Sequence, residues 1–523
     1  MEERENQLIE KITHFTFQLC RKTSDPPSHI HHHHYHLEPL SQLLNTILLS
    51  LKTYIFISDY QEEINKYLSL LIYLYKLIPH TRDIYIGKGE RDLTYQMIIV
   101  WYKVFPKLAI YAIETICSCH RIGSWKDAKY LCHHTKYHTN LLEEDQKQNL
   151  IAHIVTYMNR ELYKVIHSEN KNQPMSLISK WIPREKSKFG WLYESLVKNW
   201  IEEYETKNPT QITTHHYKIY RKIISNENRR RLGGDIEDSQ INEKRIIQSH
   251  ENSLVPKSKS YDLGDLCRFV EKERKHQIKT IEKNTGIWNK IQEKEQDVCF
   301  LPILNINSTN LLDGIAISIL LSEMSSIPNR IMIHDQIQSH WISLEKQHTL
   351  FDKIIEIQKH TFPPIPSFST RNDNLEIQNK NNPILSPMEC IIRTIIETKL
   401  PPEQIEKMCI IILSDFSQST HLHNTIKHIF HSNKIYKLPC IVYWNISNRI
   451  VPNLPCLPDT PNVIFLAGAS SSNFDYLLEE MVEMVEMVHP KTKTITPFTS
   501  FQNRINHEKY QNFETYLRKL CSL

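Results

Sequence analysis

The residues with chemistry to offer lie in a few short stretches. "RDIYIGKGERDLTY", Arg82 to Tyr95, holds two of only 10 glycines in 523 residues. A phosphate-cradling loop needs G-x-x-x-x-G-K-[ST], whose hydroxyl reaches the metal. Here Lys88 is followed by Gly89 and Glu90, and no long strand-like run precedes the glycines. The sequence favours a turn between two helices, with Glu90, Arg91 and Asp92 opening the second. Cys117, Cys119, His120, Cys132, His133, His134 and His138 carry thiol and imidazole ligands, but the first pair is spaced C-x-C. A structural zinc usually wants C-x(2–4)-C, so cysteines buried between helices are the competing reading. The tract "HIHHHHYH", His29 to His36, could hold Zn²⁺ or Ni²⁺, yet it lies between Pro27 and Pro39 as a low-complexity loop with adventitious affinity. No G-x-S-x-G occurs, "AGASSSN" does not supply one, and Glu479 with Glu480 reads as a solvated helix face.

The strongest chemical signal is basic and aromatic. "KWIPREKSKFGW" interleaves Lys180, Arg184, Lys186 and Lys188 with Trp181, Phe189 and Trp191. That mixture suits phosphate contacts and base stacking. "YKIYRK" (217–222), "NRRR" with Arg229 and Arg230, and "VPKSKS" with Lys257 and Lys259 extend it. The competing reading makes Trp181 and Trp191 core residues with solvated lysine neighbours.

A chain of 62.1 kDa must divide into two or three cores. Net charge is +4 from 63 basic and 59 acidic side chains, which excludes a wholesale polyanion binder but allows local patches. Eleven scattered cysteines and the charged start "MEERENQLIEKITHF" point to a reduced, intracellular, cytoplasmic protein. "YLSLLIYLYKLIP" is too short and too interrupted for a membrane span and reads as a buried helix. Abundant Ile, Lys, Asn and His match an AT-rich genome.

From Leu40 to about Lys283, apolar residues recur at three- and four-residue spacing, predicting an irregular array of amphipathic helices. Breaks are expected at Pro79, Gly87, Pro106, Gly123, Pro174, Pro183 and Pro209. After about Gln292, β-branched runs at 298–306, 329–335, 407–415, 439–446 and 462–468 alternate with helical segments. This predicts a doubly wound, mostly parallel sheet whose ligand would sit at the carboxyl ends of the strands. Residues 226–251 read as an exposed loop, and 363–387 as a long irregular one. The expected division is an N-terminal segment (1–39), a helical module (40–291), an α/β domain (292–495) and a C-terminal helix (496–523) packing back.

In order along the chain, "TRDIYIGKGERDLTYQ", "GSWKDAKYL", "SLISKWIPREKSKFGWL", "YRKIIS", "VPKSKSYD", "LSDFS" and "IVYWNI" resemble the DUF2828 family, itself similar to TROVE proteins such as the Ro autoantigen. The resemblance covers about residues 60–480. It implies a HEAT-like TROVE module followed by a von Willebrand factor A domain, with Arg82, Lys88 and Arg91 as cations of the module, structural or RNA-facing. The A domain's D-x-S-x-S metal loop would fall on Asn305, Asn307 and Thr309, with Thr370 and Asp415 from later loops. The first carboxylate is missing, so the resemblance implies a degenerate Mg²⁺ site. The expected function is non-enzymatic RNA binding or ribonucleoprotein scaffolding through the basic helical face, with no cofactor, membrane or small-molecule substrate. The alternative is a structural component, of a viral particle for instance, whose A-like domain binds a protein partner.

Overall fold

The computed structural model describes residues 2–20, 37–167, 177–205, 212–231, 298–335, 339–361, 385–416, 422–486 and 495–521. The expected loops around 226–251 and 363–387, the His29–His36 tract, Lys257, Lys259 and Thr370 lie wholly or largely outside these residues. The fold is a helical N-terminal region and a C-terminal mixed sheet of mostly parallel strands flanked by helices. Contacts divide the chain into a sheet unit (Met1–Leu77, Ile86–Lys88 and Ser258–Tyr516) and a helical unit (Ile78–Tyr85, Gly89–Lys257 and Leu517–Leu523).

In the sheet unit, strands β1 (Cys299–Asn305), β2 (Arg330–His334), β3 (Ser339–Ser343), β4 (Met408–Ser414), β5 (Cys440–Asn445) and β6 (Val463–Ala467) lie in the order β3-β2-β1-β4-β5-β6. All neighbours are parallel except β2 and β3. β1, β4, β5 and β6 are buried along their whole length, which is why they read as unbroken apolar runs. The edge strand β3, "SHWIS", escaped sequence reading because it is short and polar. Helices Leu311–Met324, Leu350–Thr361, Leu385–Thr398, Leu422–Ser432 and Ser471–Glu486 fall on the expected segments. On the last, Glu479 is exposed but Glu480 is not: it turns inward, near Tyr476, and accepts from Asn503 Nδ2 at 3.4 Å.

The same unit contains α1 (Glu2–Phe17) and α2 (Glu38–Ile57). Leu8, Ile12 and Phe15, one turn apart, form the buried stripe of α1. Its end crosses the carboxyl ends of β5 and β6. Asn445 Nδ2 donates to the Phe17 carbonyl at 2.7 Å, Cys20 Sγ to that of Ser447 at 3.2 Å, and the Phe17 ring packs 4.6 Å from Phe465. Gln18 exchanges two hydrogen bonds with the Val451 backbone, at 2.9 and 3.1 Å.

The helical unit takes in the end of α3 (Gln61–Arg82), then α4 (Arg91–Val104), α5 (Pro106–Ser118), α6 (Trp125–Tyr137), α7 (Glu144–His167), α8 (Ile178–Trp181), α9 (Gly190–Trp200) and α10 (Thr214–Arg231). Helix α4 is buried almost all round, as a central helix must be. Pro106 opens α5 at the first turn, where its missing N–H is harmless. Pro79 does not break α3, contrary to expectation; the helix gives up one donor and runs on to Arg82. Asn159 of α7 ties α9 and α10 together, donating to the Leu196 carbonyl at 2.8 Å and accepting from Tyr220 Oη at 2.7 Å.

Candidate nucleic-acid interface

Gly87-Lys88-Gly89 lies in the turn between α3 and α4. Gly89, at φ +69°, adopts the left-handed conformation that glycine accepts freely, and its N–H reaches the Asp83 carbonyl at 2.9 Å. Ser470 and Ser472 donate their hydroxyls to the Gly87 carbonyl at 2.9 and 2.7 Å. Lys88 is buried, with Nζ 2.5 Å from the Leu19 carbonyl and 3.4 Å from that of Ala467. It cannot present its charge to RNA, a correction to the sequence reading.

Arg82 is likewise interior. Its Nε and Nη2 bind the Asp127 carboxylate at 2.8 and 2.9 Å, with both side chains buried. Asp127 also accepts Tyr95 Oη at 2.7 Å and the Ser124 N–H at 2.8 Å, closing a capping box at the start of α6. Burial alone would push the Arg82 guanidinium down; the bonded carboxylate outweighs it and the net shift is upward. Arg91 reaches Asp127 only through a long 3.8 Å ion pair. Its guanidinium lies 5.1 Å from the centre of the Tyr130 ring.

This carboxylate anchors α6, whose two faces then part. Trp125, Ala128, Leu131 and Cys132 go inward, while Lys126, Lys129, Tyr130 and His133 recur at helical spacing on the half-exposed face. The opposing wall is the α8–α9 loop. An added Cβ at Gly190 would sit 2.2 Å from the Glu185 carbonyl oxygen, so the tight Glu185–Gly190 turn requires glycine there. The turn buries Phe189 and leaves Lys188 in solvent. Trp181 and Trp191 are half-buried, so neither the core nor the exposed-platform reading describes them fully.

Three rings, Tyr130, Trp181 and Phe189, thus gather five cations. Lys129 Nζ is 5.1 Å from the Trp181 centroid and 5.4 Å from that of Phe189. Lys126 lies 5.4 Å from Tyr130, Lys188 4.9 Å from Phe189, and Lys180 5.7 Å from Trp181. Such contacts are worth about 0.5–1 kcal/mol each at exposed sites. Among the described residues, none of these four lysines forms an ion pair; the nearby Glu185 is occupied by Arg221. Partial burial, then Lys126 and Lys188, push the Lys129 ammonium down. Partial burial, then His138 and Lys188, do the same to His133. An anion placed here would relieve that repulsion.

Of the sequence candidates, Lys180 and Lys188 belong to this cluster, and Arg91 borders it. Arg184, Lys186 and Arg229 are exposed but touch none of its rings, and for Arg230 only the backbone in α10 is described. Lys126, Lys129 and Tyr130 escaped the sequence reading. Their signal was the i, i+3, i+4 spacing behind the Ser124 cap in "GSWKDAKYL".

The other candidate sites do not assemble. Asn305 Oδ1 accepts the Asn307 N–H at 3.0 Å, Asn305 Nδ2 donates to Ser414 Oγ at 3.1 Å, and Thr309 Oγ1 accepts the Asn448 N–H at 3.0 Å. These neutral, already bonded groups do not fit a hard divalent cation that needs carboxylate oxygens. Asp415 directly follows β4, and among the described residues no three His, Cys, Asp or Glu side chains converge as metal ligands. Cys117 and Cys132 are buried, and burial pushes both thiols up. His134 Nε2 pairs with Gln96 Oε1 at 2.9 Å. No protein-family model and no curated protein matches this sequence.

Proposed function

We propose that the chain is a non-enzymatic binder of single-stranded RNA, using the Lys126/Lys129/Lys180/Lys188/Arg91 cluster. The observation that carries this reading is the set of four lysines around Tyr130, Trp181 and Phe189 that have no acidic partner among the described residues. Cations over aromatic planes serve backbone phosphates and stacked bases together and tolerate any sequence. The wider frame is a TROVE-like module with a von Willebrand A-like sheet unit. It is supported by the strand order with one antiparallel edge strand, and by helices α4 to α7 each packing on the next.

The test is binding of a fluorescent single-stranded RNA between 50 and 200 mM salt. Five phosphate contacts give a slope of log affinity on log salt of about −3.5, and Lys126→Gln/Lys129→Gln/Lys188→Gln should leave about −1.4. Equal slopes for both proteins, or no binding at the lower salt, would overturn the proposal.

One observation favours the second reading, a protein-interaction component. Phe56 and Ile57, at the end of α2 in the sheet unit, and Tyr60, just beyond it, are 78%, 71% and 69% exposed. Among the described residues, α2 is also the one helix long and apolar enough to cross a membrane, although Leu44, Ile47, Leu48 and Leu51 bury one face of it.

A further inference from the structure

In a doubly wound sheet the ligand crevice lies at the carboxyl ends of the strands. Here residues 17–20 and Lys88 occupy that edge above β5 and β6. A cavity of about 630 Å³ opens instead toward the amino ends of β1, β2 and β4, beneath the helix Leu385–Thr398. Its volume falls within the roughly 300–1,000 Å³ of small-molecule sites.

The cavity has a buried apolar interior and a largely polar exposed rim. Leu301, Met408, Ile391 and Ile395 form a buried apolar interior, and the half-buried Trp341 adds an aromatic wall. Thr394, Thr398 and Lys407, all exposed, form the rim. The charged lining residues are Arg330 and Lys407, both cationic. Arg330 is engaged by Glu345 at 2.8 Å, whereas Lys407 forms no ion pair among the described residues. An apolar interior favours a hydrocarbon chain. An unpaired ammonium at the mouth favours an anionic head group over a neutral or cationic one.

We propose that this cavity is a binding site for a monoanionic amphiphile of the fatty-carboxylate class, with the acyl chain against Trp341, Ile391 and Ile395 and the carboxylate at Lys407. The proposal stands on the sheet unit alone and is independent of RNA binding.

The test is titration of the full-length protein with decanoate below its micelle-forming range, with decanol and decyltrimethylammonium in parallel. Binding is read calorimetrically and by the fluorescence difference between the wild type and Trp341→Phe. Saturable one-to-one binding of decanoate is expected, with the fluorescence change absent from Trp341→Phe. Lys407→Glu should weaken decanoate about tenfold or more while leaving decanol unchanged. Thr398→Trp, at an exposed position that tolerates substitution, should obstruct the mouth and abolish both. Absence of saturable binding, undiminished binding to Thr398→Trp, or decyltrimethylammonium binding as tightly as decanoate would overturn the proposal.

Discussion

Replacing Asp127 with asparagine is the most discriminating single change in the helical unit. The side chain is 2% exposed and accepts both Arg82 nitrogens, the Tyr95 hydroxyl and the Ser124 N–H. Asparagine keeps the shape but turns one acceptor into a donor that must face Arg82 or Ser124, and leaves a buried guanidinium uncompensated. Breaking a buried pair from one side costs about 3–5 kcal/mol. Because two units make a single unfolding transition unsafe, the assay is amide hydrogen exchange read along α4 and α6. Their protection should fall by about two to three and a half powers of ten. The apolar double variant Arg82→Met/Asp127→Leu should recover at least half of that loss, since it removes both charges together. Function gives a second readout of opposite sign to simple electrostatics. Removing an acid near the lysines should tighten RNA binding if charge alone mattered, but should weaken it if Asp127 positions Lys126 and Lys129. Less than about fivefold lost protection, together with tighter RNA binding, would refute the anchoring role.

Two further outcomes follow from the geometry. His423 is buried against Tyr443, its Nδ1 3.2 Å from Tyr443 Oη, and burial, then Lys427, lower it from 6.5 to about 4. The unfolded chain therefore binds the proton first, so the stabilisation is complete above pH 6.5 and is lost as pH falls toward 4, by about 3 kcal/mol at most. Thermal unfolding of the sheet unit across that range should show this acid limb, and His423→Gln should flatten it. Gly190→Ala places a Cβ 2.2 Å from the Glu185 carbonyl oxygen. Overpacking of that kind costs roughly 1–3 kcal/mol, so RNA affinity should drop through displacement of Lys188 and Phe189 while far-ultraviolet dichroism stays unchanged.

What the sequence disclosed depended on how local each signal was. Five of the six described strands were legible because a strand buried on both faces must be an unbroken apolar run, whereas β3 is largely unburied and carries no such run. The α8–α9 loop announced Lys180 and Lys188 by composition, but Lys126 and Lys129 complete the cluster from a helix some 50 residues earlier in the chain, a pairing no local pattern encodes. Arg82 and Lys88 stood in the sequence as either structural or RNA-facing, and only their distant partners, Asp127 and the Leu19 carbonyl, place them inside. Glu480 differs from its neighbour Glu479 only in which side of the helix it occupies.

The division of chemistry across the sheet follows from what occupies the carboxyl ends of its strands. At the end of β1, Asn305 accepts the Asn307 N–H and donates to Ser414 Oγ, so the strand-end loop satisfies itself with neutral groups. The chain's own residues cover the edge above β5 and β6, and Phe17 fills it with an aromatic ring between Phe416 and Phe465. Such a ring, fully buried, contributes about as much as any core phenylalanine, whose loss costs about 3–5 kcal/mol. A ligand would have to displace that packing to enter. Binding chemistry in this protein is therefore sought where the side chains remain uncommitted: at the cations of α6 and the α8–α9 loop, and at the amino-terminal cavity beside Lys407.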